Sequence, residues 1–430
     1  MILDDLKKFI LEHQLEGNPM LLGLSGGVDS TALLHLLIEA GLVFQVAHID
    51  HGWREESAKE AFILKRTVEG LGIQWHAKRL EMKKMSEEAA RKERFCFFQE
   101  ILDSEQLKGV FLAHQKDDVI ETSLKRVLEG AQIPYIGGMR SFSEYGRMRI
   151  YRPLLRFLKE ELRTYLEERG ISYFDDVTNS DNRFLRGRMR TSILPNLADE
   201  FGKEIKESLY HLSVRAHEWQ DYLEKKIERI WESLRRGPIG SYVDVSCLKG
   251  GEKIEISYFV QKFLKSEGIS PSRDVLERVV HWIWEGKTDL SLSLGDRTIR
   301  FEFGSLFIYG EMPVFEKPLV LKKGEQRVGQ WIMNCSQGEG KEEAAGWQKL
   351  FLGEGSWVVP HGKYSLELPS DGARLGQKRL KKWFSENKVP CFFRYSFPVL
   401  IQDGKIVKEF LTGRNKDEKG GLKISFRLNN

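Results

Sequence analysis

The stretch that decides the fold is Met20-Leu21-Leu22-Gly23-Leu24-Ser25-Gly26-Gly27-Val28-Asp29-Ser30. It begins as an apolar run typical of a buried strand, turns through two consecutive glycines, and enters a helix predicted over Thr31–Ala40. Glycines let the backbone approach a ligand closely, and the first amides of a helix point at an anion. The stretch therefore predicts a phosphate-binding loop, with the Ser25 and Ser30 hydroxyls as further donors. A simple glycine turn is the alternative.

Strand-like and helix-like segments alternate over the first third of the chain. The predicted strands are Met20–Leu24, Val43–His48, Ile73–Ala77 and Val110–Ala113. The predicted helices between and after them are Thr31–Ala40, Glu56–Leu71, Glu87–Leu102 and Val119–Leu128. This alternation predicts an α/β fold with a doubly wound parallel sheet, whose ligands bind at the carboxyl ends of the strands. The order of the strands stays open at this point.

The rest of the chain predicts further domains, since 430 residues exceed one ordinary hydrophobic core. A long charged helix predicted over His211–Leu234 connects the first domain to a smaller mixed unit, and a basic unit begins near Glu316. We predict a catalytic domain over 1–215, a linker helix and middle domain over 216–315, and a basic domain over 316–430. The last two are expected to be small mixed α/β (α+β) domains.

Composition indicates a soluble globular protein, with 41% hydrophobic and 30% charged residues. The chain has no run of eighteen apolar residues and no secretory leader, so we expect a cytoplasmic protein without a membrane segment. The four cysteines (Cys96, Cys247, Cys335 and Cys391) form no Cys-x-x-Cys pair, which argues against structural zinc, an iron–sulfur cluster or a redox dithiol.

Charge is distributed unevenly. The formal net charge is +4, yet residues 316–430 hold 21 Lys and Arg against 13 Asp and Glu, a net +8, which leaves −4 for residues 1–315. A basic tail beside a slightly acidic body suggests a polyanionic partner, although such charge also solvates ordinary surfaces.

Three further polar patches accompany the predicted sheet. His48 to Arg54 follows the second strand, where a nucleotide base or ribose is commonly bound. On a helix, Arg91 and Arg94 share one face and can reach a phosphate or an α-carboxylate. The third patch, which follows the fourth strand, contains the acids Asp117, Asp118 and Glu121 at helical spacing. Clustered carboxylates suit Mg²⁺ beside nucleotide phosphates, and helix capping by acids is the alternative.

Taken together, these motifs closely resemble the tRNA(Ile)-lysidine synthase family of PP-loop ATP-pyrophosphatases. The resemblance rests on SGGVDS at 25–30, HIDHGWR at 48–54, AARKERF at 89–95, AHQKDDVIET at 113–122 and RPLL at 152–155. It continues in the Asp/Asn-rich segment 174–182 and reappears in the basic tail as GQKRLKKWF at 376–384. The PP-loop alone indicates a superfamily, whereas the acidic helix and the basic tail indicate this family.

The resemblance implies a set of site residues and two cofactors, ATP and Mg²⁺. Expected catalytic residues are Asp29, Asp118, Glu121 and Arg91. Expected ATP contacts are Ser25, Gly26, Gly27, Val28, Asp29, Ser30, His48 and His114. Expected metal ligands are Asp117, Asp118 and Glu121. Expected tRNA contacts are Arg186, Arg188, Arg190, Arg374, Lys378, Arg379, Lys381 and Lys382.

The implied reaction modifies the wobble cytidine of an isoleucine tRNA with a CAU anticodon. ATP adenylylates the C2 oxygen of cytosine and releases pyrophosphate, and the ε-amine of L-lysine then displaces AMP. Lysine is protonated near neutral pH, so a base must accept a proton first, and the sequence does not identify that base. No obligate protein partner is indicated, and a homodimer stays open.

Three departures from the family pattern limit what the resemblance implies. Ala113-His114-Gln115 replaces Gly-His-His, Arg186-Gly187 replaces Arg-Asn, and Trp53 stands at a common leucine position. Three rival functions are open. A tRNA thiolase would be expected to have catalytic cysteines, a GMP-synthase-like enzyme would need an ammonia source, and a non-catalytic tRNA-binding protein would not need the intact carboxylates.

Overall fold

The computed structural model describes residues 1–50, 52, 57–80, 87–174, 185–201, 204–313, 315, 318–338, 346–414 and 421–429. The chain forms two compact units, Met1–Asp221 and Tyr222–Asn430. The division into three domains stays a prediction. The second predicted boundary lies at residue 315. Residues on its two sides are in contact, since the rings of Tyr309 and Phe392 stack with their centroids 4.2 Å apart.

The first unit contains the alternating elements predicted from the sequence. Its strands are β1 (Met20–Gly23), β2 (Phe44–Asp50), β3 (Trp75–Arg79), β4 (Val110–Leu112), β5 (Phe142–Tyr145) and β6 (Met148–Tyr151). Its helices are α1 (Ile2–Glu12), α2 (Val28–Glu39), α3 (Ser57–Gly70), α4 (Glu87–Ser104), α5 (Lys116–Leu128), α6 (Ile133–Ile136), α7 (Lys159–Glu167), α8 (Leu185–Arg188), α9 (Leu194–Phe201) and α10 (Ile205–Glu232), the last of which continues into the second unit.

The strands form one sheet in the order β3-β2-β1-β4-β6-β5. All neighbours are parallel except the β5–β6 hairpin. The predicted doubly wound parallel sheet is thereby confirmed. The chain moves outward from β1 in one direction through β2 and β3, and returns to place β4 on the other side of β1. A reversal of this kind opens a crevice at the carboxyl ends of the two strands flanking it, β1 and β4.

Burial on both faces explains why β1 is a continuous apolar run. Leu21 and Leu22 are both fully buried, and they point to opposite faces of the sheet. Leu22 packs in a cluster with Leu33 of α2, while Leu21 packs with Phe98 of α4. The central strand is therefore held rigidly, and the loop that follows it starts from a fixed point.

The second unit is built from three small sheets. Its strands are β7 (Arg235–Arg236), β8 (Gly240–Asp244), β9 (Leu290–Leu294), β10 (Arg297–Glu302), β11 (Ser305–Tyr309), β12 (Leu319–Val320), β13 (Gly324–Val328), β14 (Trp331–Gly338), β15 (Glu354–Val359), β16 (Ser365–Glu367), β17 (Arg374–Leu375), β18 (Lys378–Arg379), β19 (Val399–Gln402), β20 (Lys405–Lys408) and β21 (Gly421–Leu428). Its helices are α11 (Lys253–Ser266), α12 (Arg273–Glu285), α13 (Trp347–Phe351) and α14 (Leu380–Glu386).

The three sheets have the orders β7-β8-β11-β10-β9, β12-β16-β19-β20-β17-β18 and β13-β14-β21-β15. They share one aromatic-rich core in which Phe307 packs against Phe351 and Phe392. The predicted mixed α/β character of the carboxyl-terminal region is confirmed. In the described ranges, none of the helices of either unit has the length and apolar character needed to cross a bilayer.

Candidate active site

The loop after β1 is organised by the hydroxyl of Ser30. Its Oγ accepts hydrogen bonds from the amides of Ser25 (3.2 Å) and Gly26 (3.1 Å) and donates to the carbonyl of Gly27 (3.2 Å). Gly26 has a φ of +88°, in the left-handed region that favours glycine. A Cβ added there would stand 2.8 Å from Cδ2 of Phe174. The loop is therefore a preformed turn at the amino terminus of α2, as a phosphate site requires.

Replacing Gly26 with alanine is expected to lower the free energy of unfolding by about 1–3 kcal/mol, because the residue would combine a left-handed backbone with a clash against Phe174. Gly27→Ala is the matched control, since Gly27 has a φ of −74° and its added Cβ would meet no atom nearer than 3.7 Å. Urea denaturation of both variants measures the difference. Equal loss of stability in both would show that the turn does not need glycine at Gly26.

His48 and Val28 support the loop from the core. His48 is buried, and its Nδ1 donates to the carbonyl of Leu24 at 2.9 Å, directly before the loop. Burial lowers the pKa of His48, and the ring stacks on Trp75 at 5.3 Å. Val28 packs its side chain into the core. Contact of His48 or Val28 with ATP stays a prediction. For Val28, the group that would make the contact is the backbone amide.

The acidic patch lies at the start of α5, where Gln115 and Asp118 cap the helix. Asp118 Oδ2 accepts from the amide of Gln115 at 3.1 Å, so helix capping is one role of this carboxylate. Asp117 faces different partners, the ammonium of Lys206 at 2.8 Å and the amide of Lys159 at 3.1 Å. The two neighbouring aspartates therefore sit in different charge environments.

Arg190 bridges the other two carboxylates. Its Nη2 lies 3.1 Å from Asp118 Oδ1 and 3.1 Å from Glu121 Oε2, and its Nε donates to Glu121 Oε1. Glu121 is only 2% exposed, and this burial raises its pKa although Arg190 opposes the shift. Arg190 lies in a π-helical turn, Met189–Ile193, a local widening often found at functional sites. The sequence assigned Arg190 to RNA contact, and the structure places it in this ion-pair network.

Asp29, in the first turn of α2, faces the same network. Burial raises its pKa to about 6; Lys159 and Arg190 oppose the shift, and Asp118 and Asp117 add to it. Within the described residues, Asp29 Oδ1 is buried and accepts no hydrogen bond. A carboxylate held in this way can bind a cation beside the phosphate loop. Lys159 is a member of this charge environment that the sequence analysis missed.

The three predicted metal ligands do not converge on one point. Among the described residues, the one group of three whose ligand atoms lie within 4.8 Å of one another is Asp289, Glu302 and Cys391, in the second unit. There Glu302 is already paired with Arg300 and Arg394. In the first unit, the unpartnered oxygen of Asp29 next to Asp118 is the feature that fits Mg²⁺.

His114 follows β4, and the positive charges of four arginines act on it. Its pKa is lowered to about 3 by burial and then by Arg152, Arg94, Arg186 and Arg91, in that order. The histidine is therefore neutral in the physiological range. Arg152 directly follows β6 and is buried. The sequence analysis did not predict it as a site residue, because its motif, RPLL at 152–155, served only as part of the family resemblance.

The remaining predicted RNA contacts are on the surface. Arg186 and Arg188 are exposed on α8, and the tail residues Arg374, Lys378, Arg379, Lys381 and Lys382 are exposed on β17, β18 and α14. Two further parts of the sequence argument, Arg54 in the patch after β2 and the segment 175–182, lie outside the described residues.

Comparison with known proteins agrees with this geometry. A family model described as a PP-loop domain matches residues 2–197. A tRNA(Ile)-lysidine synthase of Protochlamydia amoebophila is 33% identical over 425 residues, 96% of this chain and 93% of its own. One of Chlamydia abortus is 36% identical over 263 residues, 60% of this chain and 83% of its own. With a relative matched over nearly its whole length, the chain belongs to the tRNA(Ile)-lysidine synthase family and is an ATP-using ligase.

Proposed function

We propose that the protein joins L-lysine to C2 of the wobble cytidine of a CAU-anticodon isoleucine tRNA, in the cytoplasm, through an adenylylated tRNA. One observation carries the proposal. The preformed loop follows β1 at the crevice of the sheet. Asp29, whose buried Oδ1 accepts no hydrogen bond within the described residues, interacts there with the Asp118–Glu121–Arg190 network. This arrangement supports the proposal, because adenylyl transfer from ATP needs hydrogen-bond donors for the phosphates beside carboxylates that can hold a cation.

In the first step the amides at the start of α2 and the Ser25 hydroxyl would bind the phosphates that leave as pyrophosphate. The oxygen at C2 of cytosine forms a bond to the α-phosphorus, and the bond to pyrophosphate breaks. Asp29 and Asp118 would hold Mg²⁺, which when bound supplies positive charge to the leaving pyrophosphate. In the second step the ε-amine of lysine, after losing a proton, attacks C2 and releases AMP with that oxygen.

The tRNA must present an unstacked base, so the protein needs a surface that binds the RNA backbone. The tail supports this role. In the β17–β18 pair, Arg374 lies directly opposite Arg379, and like charges in this position destabilise a sheet. A bound polyanion would relieve that repulsion. Arg394, which also lies in the carboxyl-terminal segment, is buried against Glu302, so its guanidinium is not part of this exposed surface.

Replacing Arg379 with glutamine is expected to weaken tRNA binding and to reduce the slope of log Kd against log salt by about one, because one phosphate contact is lost. Fluorescence anisotropy with labelled tRNA over a range of salt measures the slope. Lys108→Gln is the control, since Lys108 is exposed just before β4, at the edge of the sheet away from the crevice. An unchanged slope for Arg379→Gln would remove this residue from the interface.

Adenylylation can be tested separately from lysine transfer. The experiment measures tRNA-dependent exchange of labelled pyrophosphate into ATP with no lysine present. The proposal predicts exchange by the wild type and its loss in Asp118→Asn. A tRNA-binding protein without catalysis would show no exchange in either. A thiolase is disfavoured because Cys96 is the one cysteine of residues 1–221.

A further inference from the structure

The guanidinium of Arg190 occupies the two carboxylates that the sequence analysis predicted as both catalytic residues and metal ligands. Its Nη2 lies 3.1 Å from Asp118 Oδ1 and 3.1 Å from Glu121 Oε2, and its Nε donates to Glu121 Oε1. The remaining oxygen, Asp118 Oδ2, accepts the amide of Gln115 at 3.1 Å. Three of the four oxygens of this pair of carboxylates therefore accept from a single positively charged group.

The acids that stabilise the charge of Arg190 include the one beside the phosphate loop. Burial lowers the pKa of Arg190, but the hydrogen bond to Glu121 and the charges of Glu121, Asp118 and Asp29 together raise it above its ordinary value. The buried Oδ1 of Asp29 accepts no hydrogen bond within the described residues. Lys159 is the other cation that acts on Asp29. Arg190 thus lies where a metal cation would neutralise the same three acids.

The backbone of Arg190 is anchored separately from its ion pairs. Arg190 lies in the π-helical turn Met189–Ile193, and the residue that follows this turn, Leu194, packs in a cluster with Ile120 and Leu124 of α5. The side chain of Arg190 is 29% exposed, so it has a route to solvent. Partly exposed side chains change rotamer rapidly. The guanidinium can therefore leave the carboxylates while the turn that carries it stays packed.

We propose that Arg190 and a divalent cation compete for the carboxylates of Asp118 and Glu121, so that the guanidinium holds these acids until the cation displaces it. The inference rests on the proposed function, in which Asp118 helps to hold Mg²⁺. Mg²⁺ binds carboxylate oxygens directly, and a guanidinium on the same oxygens would be repelled by it at short range. Before the cation arrives, Arg190 prevents the neighbouring acids from repelling one another.

The first test measures the affinity of the full-length, ATP-free protein for Mn²⁺, which takes the same oxygen ligands as Mg²⁺, from the EPR signal of the unbound ion. Arg190→Met is expected to bind Mn²⁺ about 10- to 100-fold more tightly than the wild type, because the competing charged hydrogen bonds are absent. Arg188→Met removes an exposed arginine two residues away and should bind as the wild type does. The double variant Asp118→Asn/Arg190→Met should lose the gain.

A second test uses the wild type and so does not depend on how well Arg190→Met folds. In protein with isotope-labelled arginine, the Nε–H NMR signal of Arg190 is identified by its absence from Arg190→Lys, which keeps the positive charge. Saturating Mg²⁺ is expected to shift this signal toward that of a solvated arginine, because Nε loses its bond to Glu121. The matched control is Arg169, whose Nε donates to Glu39 at 3.1 Å and whose signal should not move.

Three outcomes would overturn the inference. Equal or weaker Mn²⁺ binding by Arg190→Met would show that the guanidinium and the cation do not compete. A gain in affinity that survives Asp118→Asn would place the cation elsewhere. An Arg190 signal that saturating Mg²⁺ leaves unchanged would show that the guanidinium stays on the carboxylates. Neither measurement needs catalysis, so failure of lysine transfer would contradict the proposed function alone.

Discussion

Arg190→Met is expected to lower the free energy of unfolding by about 3 kcal/mol, because it leaves the buried carboxylate of Glu121 without its cation. Glu121 is 2% exposed and Arg190 supplies hydrogen bonds to both of its oxygens, so solvent cannot replace the guanidinium. Denaturant unfolding at pH 8 measures the loss. At pH 4 the loss should be smaller, since an unpaired and buried Glu121 can then take up a proton.

Two comparisons separate this ion-pair effect from a general effect of substitution. Arg188→Met changes an exposed arginine two residues away and should alter stability by about 0.5 kcal/mol or less. The double variant Glu121→Gln/Arg190→Met removes both charges and should recover part of the loss. If Arg190→Met were as stable as Arg188→Met, the network would not hold Glu121 as described.

Asp29→Asn is expected to reduce tRNA-dependent pyrophosphate exchange by roughly 1000-fold, because the proposal gives the unpartnered Oδ1 a direct role in holding the cation. The same variant should be more stable than the wild type at pH 8. The folded-state pKa of Asp29 is raised from 3.8 to about 6, so the protein favours the protonated carboxyl. The stabilisation of the folded state by the protonated Asp29 carboxyl is complete below pH 3.8 and is lost as the pH rises through 6.

Above pH 6 the wild type therefore carries an unfavourable buried charge, and the asparagine variant does not. The gain at pH 8 is expected to be about 3 kcal/mol, and it should disappear below pH 4. Thermal melts at both pH values test this, with Asp199→Asn on the exposed face of α9 as the control. Full activity in Asp29→Asn would contradict its assignment as a cation ligand, whatever its stability.

Local sequence pattern predicted the part of the fold that positions the crevice. The apolar run before Ser25 and the helix after it are where the pattern placed them, with α2 beginning at Val28 instead of Thr31. The strand order was not predictable, because the placement of β4 beside β1 depends on packing between distant segments. The β5–β6 hairpin was also missed, since its short strands at the sheet edge mix polar and apolar residues.

Spacing along the chain found the carboxylates of the site and missed how they are paired. Asp118 and Glu121 are three residues apart, so a helix brings them together and the pattern is visible. Arg190 contacts these two carboxylates although it lies about 70 residues further along the chain. Together with Arg186 and Arg188 it forms a basic stretch, and the sequence analysis therefore interpreted the three arginines as RNA contacts. Arg152 and Lys159 were missed for the same reason, because a contact between distant segments leaves no local pattern.

The central claim is lysine transfer to the wobble cytidine. Its most direct test is ATP-dependent incorporation of labelled lysine into purified CAU-anticodon isoleucine tRNA, with a transcript that has uridine in place of the wobble cytidine as the control. The account predicts incorporation into the first RNA only, with AMP and pyrophosphate released. A well-folded protein that binds this tRNA and ATP and transfers no lysine would contradict it.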